Sequence, residues 1–188
     1  MTILFADYFS SMRKSALVVV SALTLALGVS AVYAQDAAAE VAVADPALVE
    51  EGFAVWKGQD CIGCHGWAGN GERIGENPTG PSLRALDYYD AETLKEVILC
   101  GRPGTAMPSH DPRAYKDDRC YGMTKADLAG ANLLEGRAMT SGEADALVAY
   151  IMGKMVGRPD QPNQDDCKAY YGGKPFCNKY PTAESQGF

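Results

Sequence analysis

The sequence is short of histidine, of basic charge and of strand-like patterning. Only two of its 188 residues are histidines, which leaves little material for a histidine-rich metal centre. The 17 Lys and Arg residues are outnumbered by 24 Asp and Glu residues, and this acidic balance argues against binding to nucleic acid or to anionic membranes. No segment alternates apolar and polar residues, and no internal repeat is visible. These absences leave helices joined by long loops as the expected architecture of a single domain.

The longest apolar run without a charge lies near the N-terminus, from Ala16 to Val32. Arg13 and Lys14 precede it, and it closes on Ala-Val-Tyr-Ala, a pattern typical of a secretory signal peptide that is cleaved after Ala34. We therefore predict a signal peptide over residues 1–34 and a periplasmic protein. The alternative is a retained membrane anchor, for which the run is short and diluted by Ala and Ser.

Cleavage after Ala34 would make the mature chain more acidic. It would leave 15 basic and 23 acidic residues, a net charge near −8, which favours electrostatic steering toward a partner with a positive patch. Solubility alone would explain the same charge. All the cysteines lie in the exported part, where an oxidising compartment favours disulfides: Cys61, Cys64, Cys100, Cys120, Cys167 and Cys177.

Three helices are predicted from capping residues and apolar spacing, after a flexible leader over residues 35–45. Asp45 and Pro46 are suited to a helix start, Asp90 to a second N-cap, and Thr140 or Ser141 to a third. The predicted spans are 46–57, 90–99 and 141–155, with a weaker helical pattern over 124–134. Residues 157–188 are rich in Pro, Gly and Asn and form a C-terminal extension with little apolar periodicity.

The sequence Cys61-Ile62-Gly63-Cys64-His65 carries the strongest chemical signal. Two thiols at this spacing can bond to the two vinyl groups of one haem, and the next histidine can then bind the iron. A zinc site would need further Cys or His at comparable spacing, and a thioredoxin-like pair would need a strand before a helix. A disulfide across two intervening residues would be strained. Covalent haem attachment therefore explains the motif best.

The order of motifs along residues 46–156 resembles the class I, mono-haem c-type cytochromes. The elements that carry the resemblance are an N-terminal amphipathic helix, Cys61-x-x-Cys64-His65, Thr79-Gly80-Pro81-x-Leu83, a middle helix, Gly104-Thr105-Ala106-Met107-Pro108, and a last helix that ends Tyr150-Ile151. The resemblance implies an all-α class I cytochrome c fold around one haem c attached through Cys61 and Cys64. It also implies that the first and last helices cross at Gly52 and Phe53, opposite Tyr150.

The resemblance further assigns the iron ligands. His65 would be the proximal ligand, oriented by the carbonyl of Pro81, and Met107 the distal one, because it precedes a proline as the family's methionine does. His110 is a serious competitor, since it lies only three residues beyond Met107. Met123 and Met139 are more simply core or cap residues. Arg84, Tyr88 and Trp67 are candidates to hydrogen-bond the haem propionates, although ordinary packing would explain each of them.

About thirty residues, from Ser109 to Ala138, separate the methionine loop from the last helix, more than in compact members of the family. Cys100 and Cys120 bracket Met107, so a bridge between them would close around it, and Cys167 with Cys177 would pin the tail. Four cysteines allow three pairings, and the sequential one is the simplest. Asp111, Asp117 and Asp118 could bind calcium, but their spacing favours a solvated charge cluster.

These features predict a one-electron carrier that is not an enzyme. Its partners would be redox proteins: a periplasmic dehydrogenase as donor, and a terminal oxidase or another cytochrome as acceptor. The long loop, the acidity and the cysteine-bearing tail are similar to the cytochromes c that accept electrons from quinoprotein methanol or alcohol dehydrogenases in methylotrophs. The alternatives are a haem enzyme or gas sensor with an open or displaceable distal position, and a subunit of a membrane-anchored dehydrogenase complex.

Overall fold

The structure, a computed structural model, describes residues 45–86 and 90–187. The helices in this part are α1 (Pro46–Gly58), α2 (Cys61–His65), α3 (Ala91–Cys100), α4 (Ser141–Lys154) and α5 (Gln164–Tyr171), with 3₁₀ turns at Pro175–Lys179 and Glu184–Gln186. No strand forms among the described residues, so the predicted all-α class is confirmed. None of these helices combines the length and apolar character needed to cross a bilayer. The predicted signal peptide, nearly all of the leader, and Tyr88 lie outside the described residues.

The three predicted helices begin where their capping residues place them. At α3 the Thr93 N–H donates to Asp90 Oδ1 over 2.7 Å. At α4 the Glu143 N–H donates to the Thr140 hydroxyl oxygen, and the Thr140 N–H donates back to the Glu143 carboxylate. These bonds satisfy backbone N–H groups that have no partner within the helix, and they act over only two or three residues. Local sequence is therefore sufficient to start each helix.

The core is built where α1 crosses α4, with α3 packed beside them. Gly52 makes the crossing possible, because a Cβ atom there would overlap the carbonyl oxygen of Ala146 and lie 2.7 Å from Tyr150 Cβ. The Phe53 and Tyr150 rings pack with centroids 5.4 Å apart, as the resemblance implied. Apolar side chains from these helices, from the loop before α3 and from the residues next to both ends of α4 fill the space between them: Val55, Trp56, Leu83, Leu86, Leu94, Ile98, Met139, Ala144, Leu147, Val148, Ile151 and Met155.

The prediction of a weak helix over residues 124–134 is wrong. The segment forms turns, in which the Thr124 N–H and hydroxyl both donate to Asp127 Oδ2, and Gly130 has a φ of +89° that ends regular winding. Leu128 and Leu133 do not form a stripe facing the main core but pack on the Cys100–Cys120 bridge. The hydrogen bonds of Thr124 and the packing of these leucines in a separate apolar cluster stabilise turns more than the sequence pattern stabilises a helix.

Both predicted disulfides are present, Cys100–Cys120 and Cys167–Cys177. The first ties the segment after the methionine loop to the end of α3. Two tyrosines in the left-handed region reinforce this tie: the Tyr115 hydroxyl donates to the Cys100 carbonyl and the Tyr121 hydroxyl to the Gly101 carbonyl. The long insertion is thus fastened to the residues that immediately precede the methionine loop.

The acidic cluster in this insertion is organised around an arginine. Arg119 donates to Asp117 and also forms an ion pair with Asp111. The hydrogen bond from the Arg119 side chain lowers the pKa of Asp117 to about 2. Among the described residues, no three His, Cys, Asp or Glu side chains come together in a group that could hold a metal ion. The geometry here is that of a charge network internal to the chain.

The tail contains a helix that the apolar pattern does not reveal. Asn163 caps α5 by accepting from the Asp165 and Asp166 N–H groups, Asp166 accepts in return from the Asn163 N–H, and Gly172 ends the helix in the left-handed region. The capping box and the glycine stop were visible in the sequence. The helix was missed because it is polar along most of its length and buries only Cys167.

Candidate functional site

The Cys61-x-x-Cys64-His65 motif forms the short helix α2, directly after α1. Asp60, between the two helices, has a φ of +57°, which lets the chain turn sharply at that point. In a helical turn, side chains three and four positions apart lie on one face. Cys61, Cys64 and His65 accordingly line the same cavity, and neither cysteine is in a disulfide.

The cavity has a volume of about 600 Å³, which is within the range of sites that hold a cofactor-sized ligand. Residues of the motif, of α3, of α4 and of the methionine loop all line it. Its walls are mostly apolar and include Trp56, Leu83, Leu86, Leu94, Val97, Ile98, Met107, Pro108, Leu134, Leu147 and Ile151. Arg102 and Asp60 are the only Arg, Lys, Asp or Glu side chains among the described residues that line it.

The His65 ring is held in one orientation. Its Nδ1 lies 2.9 Å from the carbonyl oxygen of Pro81, and because a carbonyl can only accept, Nδ1 carries the hydrogen. Gly80 allows this approach, since a Cβ atom there would lie 2.8 Å from both Nδ1 and Cε1 of the ring. Nε2 therefore keeps its lone pair, the form in which imidazole binds a metal.

Burial keeps the His65 imidazole neutral. It lowers the pKa of His65, and the positive charge of Arg102 lowers it further, against the opposing effect of the bond to Pro81. A neutral ring is the form that can donate Nε2 electrons to iron at neutral pH.

The cysteines of the motif do not have the electrostatics of a redox pair. Burial raises the pKa of Cys61 to about 12, and burial together with the charge of Asp60 raises that of Cys64. Reactive cysteines in disulfide-exchange enzymes have lowered pKa values, because the thiolate is the nucleophile. The structure thus gives no support to the thioredoxin-like interpretation of the motif.

Comparison with known proteins decides the family. The family model described as cytochrome c matches residues 49–154, more than half of the chain. The chain belongs to the cytochrome c family. It is also 43% identical over 60 residues to cytochrome c55X of Paracoccus denitrificans (strain Pd 1222), a match over 32% of this chain and 54% of the relative. The chain thus spans about half the length of that curated relative. No solved structure matches it.

A cytochrome of this family carries haem c covalently, here through Cys61 and Cys64. The cavity fits this group in size and in its apolar walls. Trp56 and Gln59 line the cavity, and two of their buried polar atoms, Trp56 Nε1 and Gln59 Oε1, have no hydrogen-bond partner among the described residues. Such unsatisfied atoms are expected where a wall packs against a bound group.

Met107 lines the same cavity of the cytochrome as His65, and His110 lines it as well. The loop is a tight turn: the Arg102 N–H donates to the Met107 carbonyl, the Thr105 hydroxyl to the Arg102 carbonyl, and the Met107 N–H to the Thr105 hydroxyl. Met139 is instead packed in the core, and Met123 packs on the Cys100–Cys120 bridge. Of the three methionines considered, only Met107 lines the cavity.

Two of the predicted propionate partners lie elsewhere. Arg84 is buried against the tail and bonds to Asp166, Ala68 and Pro159, and Trp67 packs among tyrosines of the tail. Neither lines the cavity. Gln59, Arg102 and Leu134, which the sequence patterns did not indicate, do line it. Gln59 and Arg102 each adjoin a recognised motif, whereas nothing near Leu134 in the sequence indicated its position.

Proposed function

We propose that this cytochrome is a periplasmic one-electron carrier whose haem iron is bound by His65 and Met107. The observation that carries the proposal is that one mostly apolar cavity is lined by a histidine whose bonded Nδ1 leaves Nε2 its lone pair, and also by a methionine. The haem supplies an iron that alternates between the ferrous and ferric states. With both His65 and Met107 bound, the iron would have no open position for a substrate, so in this proposal the cytochrome carries electrons and is not an enzyme.

The chain's own residues adjust the reduction potential of that iron. The Pro81 carbonyl fixes the His65 ring and strengthens it as a donor. The Met107 thioether favours the ferrous state and so raises the reduction potential relative to a second imidazole. The apolar side chains of α3 and α4 that line the cavity help to exclude water from it, which keeps the local dielectric low.

Met107 ligation is tested by the visible spectrum of the ferric protein. Wild type is expected to show the weak long-wavelength sulfur-to-iron charge-transfer band, and Met107→Ala is expected to lose it, because the sulfur is removed. Met123→Ala is the matched control: it removes a methionine that lies outside the cavity, so the band should remain. A wild-type spectrum without the band, together with rapid binding of carbon monoxide to the ferrous protein, would instead favour an enzyme or a gas sensor.

The donor in this proposal is a periplasmic quinoprotein methanol or alcohol dehydrogenase, and the acceptor is another cytochrome or a terminal oxidase. The support is the acidic chain, the long insertion after the methionine loop, and a tail tied down by its own disulfide. A negatively charged carrier would reach a positive patch on its donor by electrostatic steering.

This donor is tested by mixing the ferric cytochrome with purified dehydrogenase and alcohol. We expect reduction that is fast at low salt and slows steeply as ionic strength rises, because screening weakens the attraction between the two surfaces. A dehydrogenase that reduces the cytochrome no faster at low salt than at high salt would exclude this pairing while leaving Met107 ligation unaffected.

A further inference from the structure

The Pro81 carbonyl, which orients the imidazole of the haem motif, belongs to a segment that is tied down on both sides. Before it, the Gly80 N–H donates to the Cys64 carbonyl over 2.8 Å. After it, the Ser82 hydroxyl donates to Asp160 Oδ1 over 2.7 Å. The first tie is made within the motif region, whereas the second reaches 78 positions along the chain, into the C-terminal extension.

The Ser82 hydroxyl makes two hydrogen bonds at once. It donates its hydrogen to Asp160 Oδ1, and its oxygen accepts from the Arg84 N–H over 3.2 Å. The neighbouring Leu83 is buried, and its N–H donates to the Gly69 carbonyl over 2.7 Å. The residue that follows the orienting carbonyl is therefore held through its side chain, in addition to the backbone bond of the next residue.

The tail around Asp160 is ordered by contacts of its own. The Arg84 guanidinium, which is buried, donates to the Pro159 carbonyl and to Asp166 Oδ2 on α5. The Gly157 N–H donates to the Arg84 carbonyl over 2.9 Å. A single hydrogen bond to an exposed carboxylate on a loose segment would be offset by the entropy lost in ordering that segment. Here the segment is already ordered, so the bond from Asp160 can hold its partner in place.

We infer that Ser82 and Asp160 are positioning residues for the iron ligand His65. Through the Pro81 carbonyl they fix how strongly the imidazole binds ferric iron, and so they lower the reduction potential of the cytochrome. This inference rests on the proposed function, in which His65 is the proximal ligand. A close carbonyl acceptor at Nδ1 makes the imidazole a more basic ligand, which stabilises ferric iron more than ferrous iron. A carbonyl that is free to move away gives up part of this effect, and the potential rises.

The experiment measures the reduction potential of haem-loaded Ser82→Ala, Asp160→Ala and the double variant. Each single change removes the bond, so each should raise the ratio of ferrous to ferric protein at a fixed electrode potential about threefold, which is less than the roughly tenfold expected when a direct hydrogen-bond partner of a metal ligand is lost. In the double variant the two effects should not add, because both changes remove the same bond.

Two conservative variants serve as matched controls. Ser82→Thr keeps the hydroxyl, so its potential should stay close to that of wild type. Asp160→Asn removes the negative charge but keeps an oxygen that can accept from Ser82, and its potential should therefore rise less than that of Asp160→Ala. If Asp160→Asn and Asp160→Ala raise the potential equally while Ser82→Ala leaves it unchanged, only the charge of Asp160 acts on the iron, and the inference is overturned.

Proton magnetic resonance of the ferrous protein provides a second measurement, at the His65 ring itself. The signal of its Nδ1 hydrogen should move upfield and exchange faster with solvent in Ser82→Ala and Asp160→Ala, because the bond to the Pro81 carbonyl becomes weaker. Retained helical circular dichroism and covalent haem establish that each variant has folded. If the bond between Ser82 and Asp160 served stability alone, the variants would unfold more easily but keep the wild-type potential and the wild-type Nδ1 signal. That result would overturn the inference.

The outcomes also separate this inference from the proposed function. A wild type with the sulfur-to-iron band, together with a potential that does not respond to Ser82→Ala, would support Met107 ligation and overturn the role of Ser82. In the ferric protein the ring protons of His65 should be strongly shifted, since a ligand lies next to paramagnetic iron. Ring protons without this shift would show that His65 does not bind the iron, and they would overturn both the proposed ligation and this inference.

Discussion

Arg84→Met is expected to lower the free energy of unfolding by about 3–5 kcal/mol, the usual cost of breaking a buried ion pair from one side. The Arg84 side chain is only 1% exposed, and its Nη2 lies 2.8 Å from Asp166 Oδ2 on α5. The same guanidinium donates to the carbonyl oxygens of Ala68 and Pro159. Methionine fills the same space, but it leaves both carbonyls and one carboxylate oxygen without this donor, in surroundings that water reaches poorly.

The matched control is Arg158→Met, because Arg158 pairs with the same carboxylate. Its Nη1 lies 3.3 Å from Asp166 Oδ1, and its side chain is 35% exposed, so solvent screens the pair. We expect a loss of at most about 1 kcal/mol there. Chemical denaturation of the oxidised, haem-loaded protein measures both values, and limited proteolysis of the tail should accelerate only in the Arg84 variant. Equal losses of unfolding free energy in the two variants would show that the burial of Arg84 does not strengthen its contribution to stability.

Gly52→Ala is expected to destabilise the cytochrome by about 3 kcal/mol, at the upper end for overpacking. The new methyl group would overlap the Ala146 carbonyl oxygen and crowd Tyr150 Cβ at 2.7 Å. A backbone atom of α4 cannot turn aside as a side chain can, so α1 and α4 must separate, and the Phe53–Tyr150 ring contact is lost with them. Alanine favours a helix over glycine by only about 1 kcal/mol, which is too little to offset the overlap.

Gly58→Ala provides the comparison for this change, since it makes the same substitution in the same helix. No atom lies within 4 Å of a Cβ placed at Gly58, so its free energy of unfolding should stay within about 1 kcal/mol of wild type. Denaturation curves followed by circular dichroism and by haem absorbance measure both variants. A Gly52→Ala protein as stable as Gly58→Ala would mean that the helix crossing tolerates a wider separation than the structure shows.

The haem motif and the helix starts could be predicted because their chemistry is local. Cys61, Cys64 and His65 lie within one helical turn, and Thr140 with Glu143 completes a capping box over three residues. Interactions at such short separations form in almost any surrounding structure. The same locality also misled the prediction over residues 124–134, where a helical apolar pattern was present but turn bonds and a distant disulfide cluster determined the conformation.

The contacts of residues whose partners are far away in the sequence were predicted poorly. Arg84 was predicted to contact a propionate, but Asp166, 82 positions later, holds it in the tail. His110 was considered only as a competitor of Met107, whereas the structure shows its Nδ1 donating to the carbonyl oxygen of Arg137, 27 positions later. The sequence by itself determined the covalent haem site, the three main helices and the family. Only the tertiary structure decided which side chains share the cavity, because a contact between distant residues depends on the whole path of the chain between them.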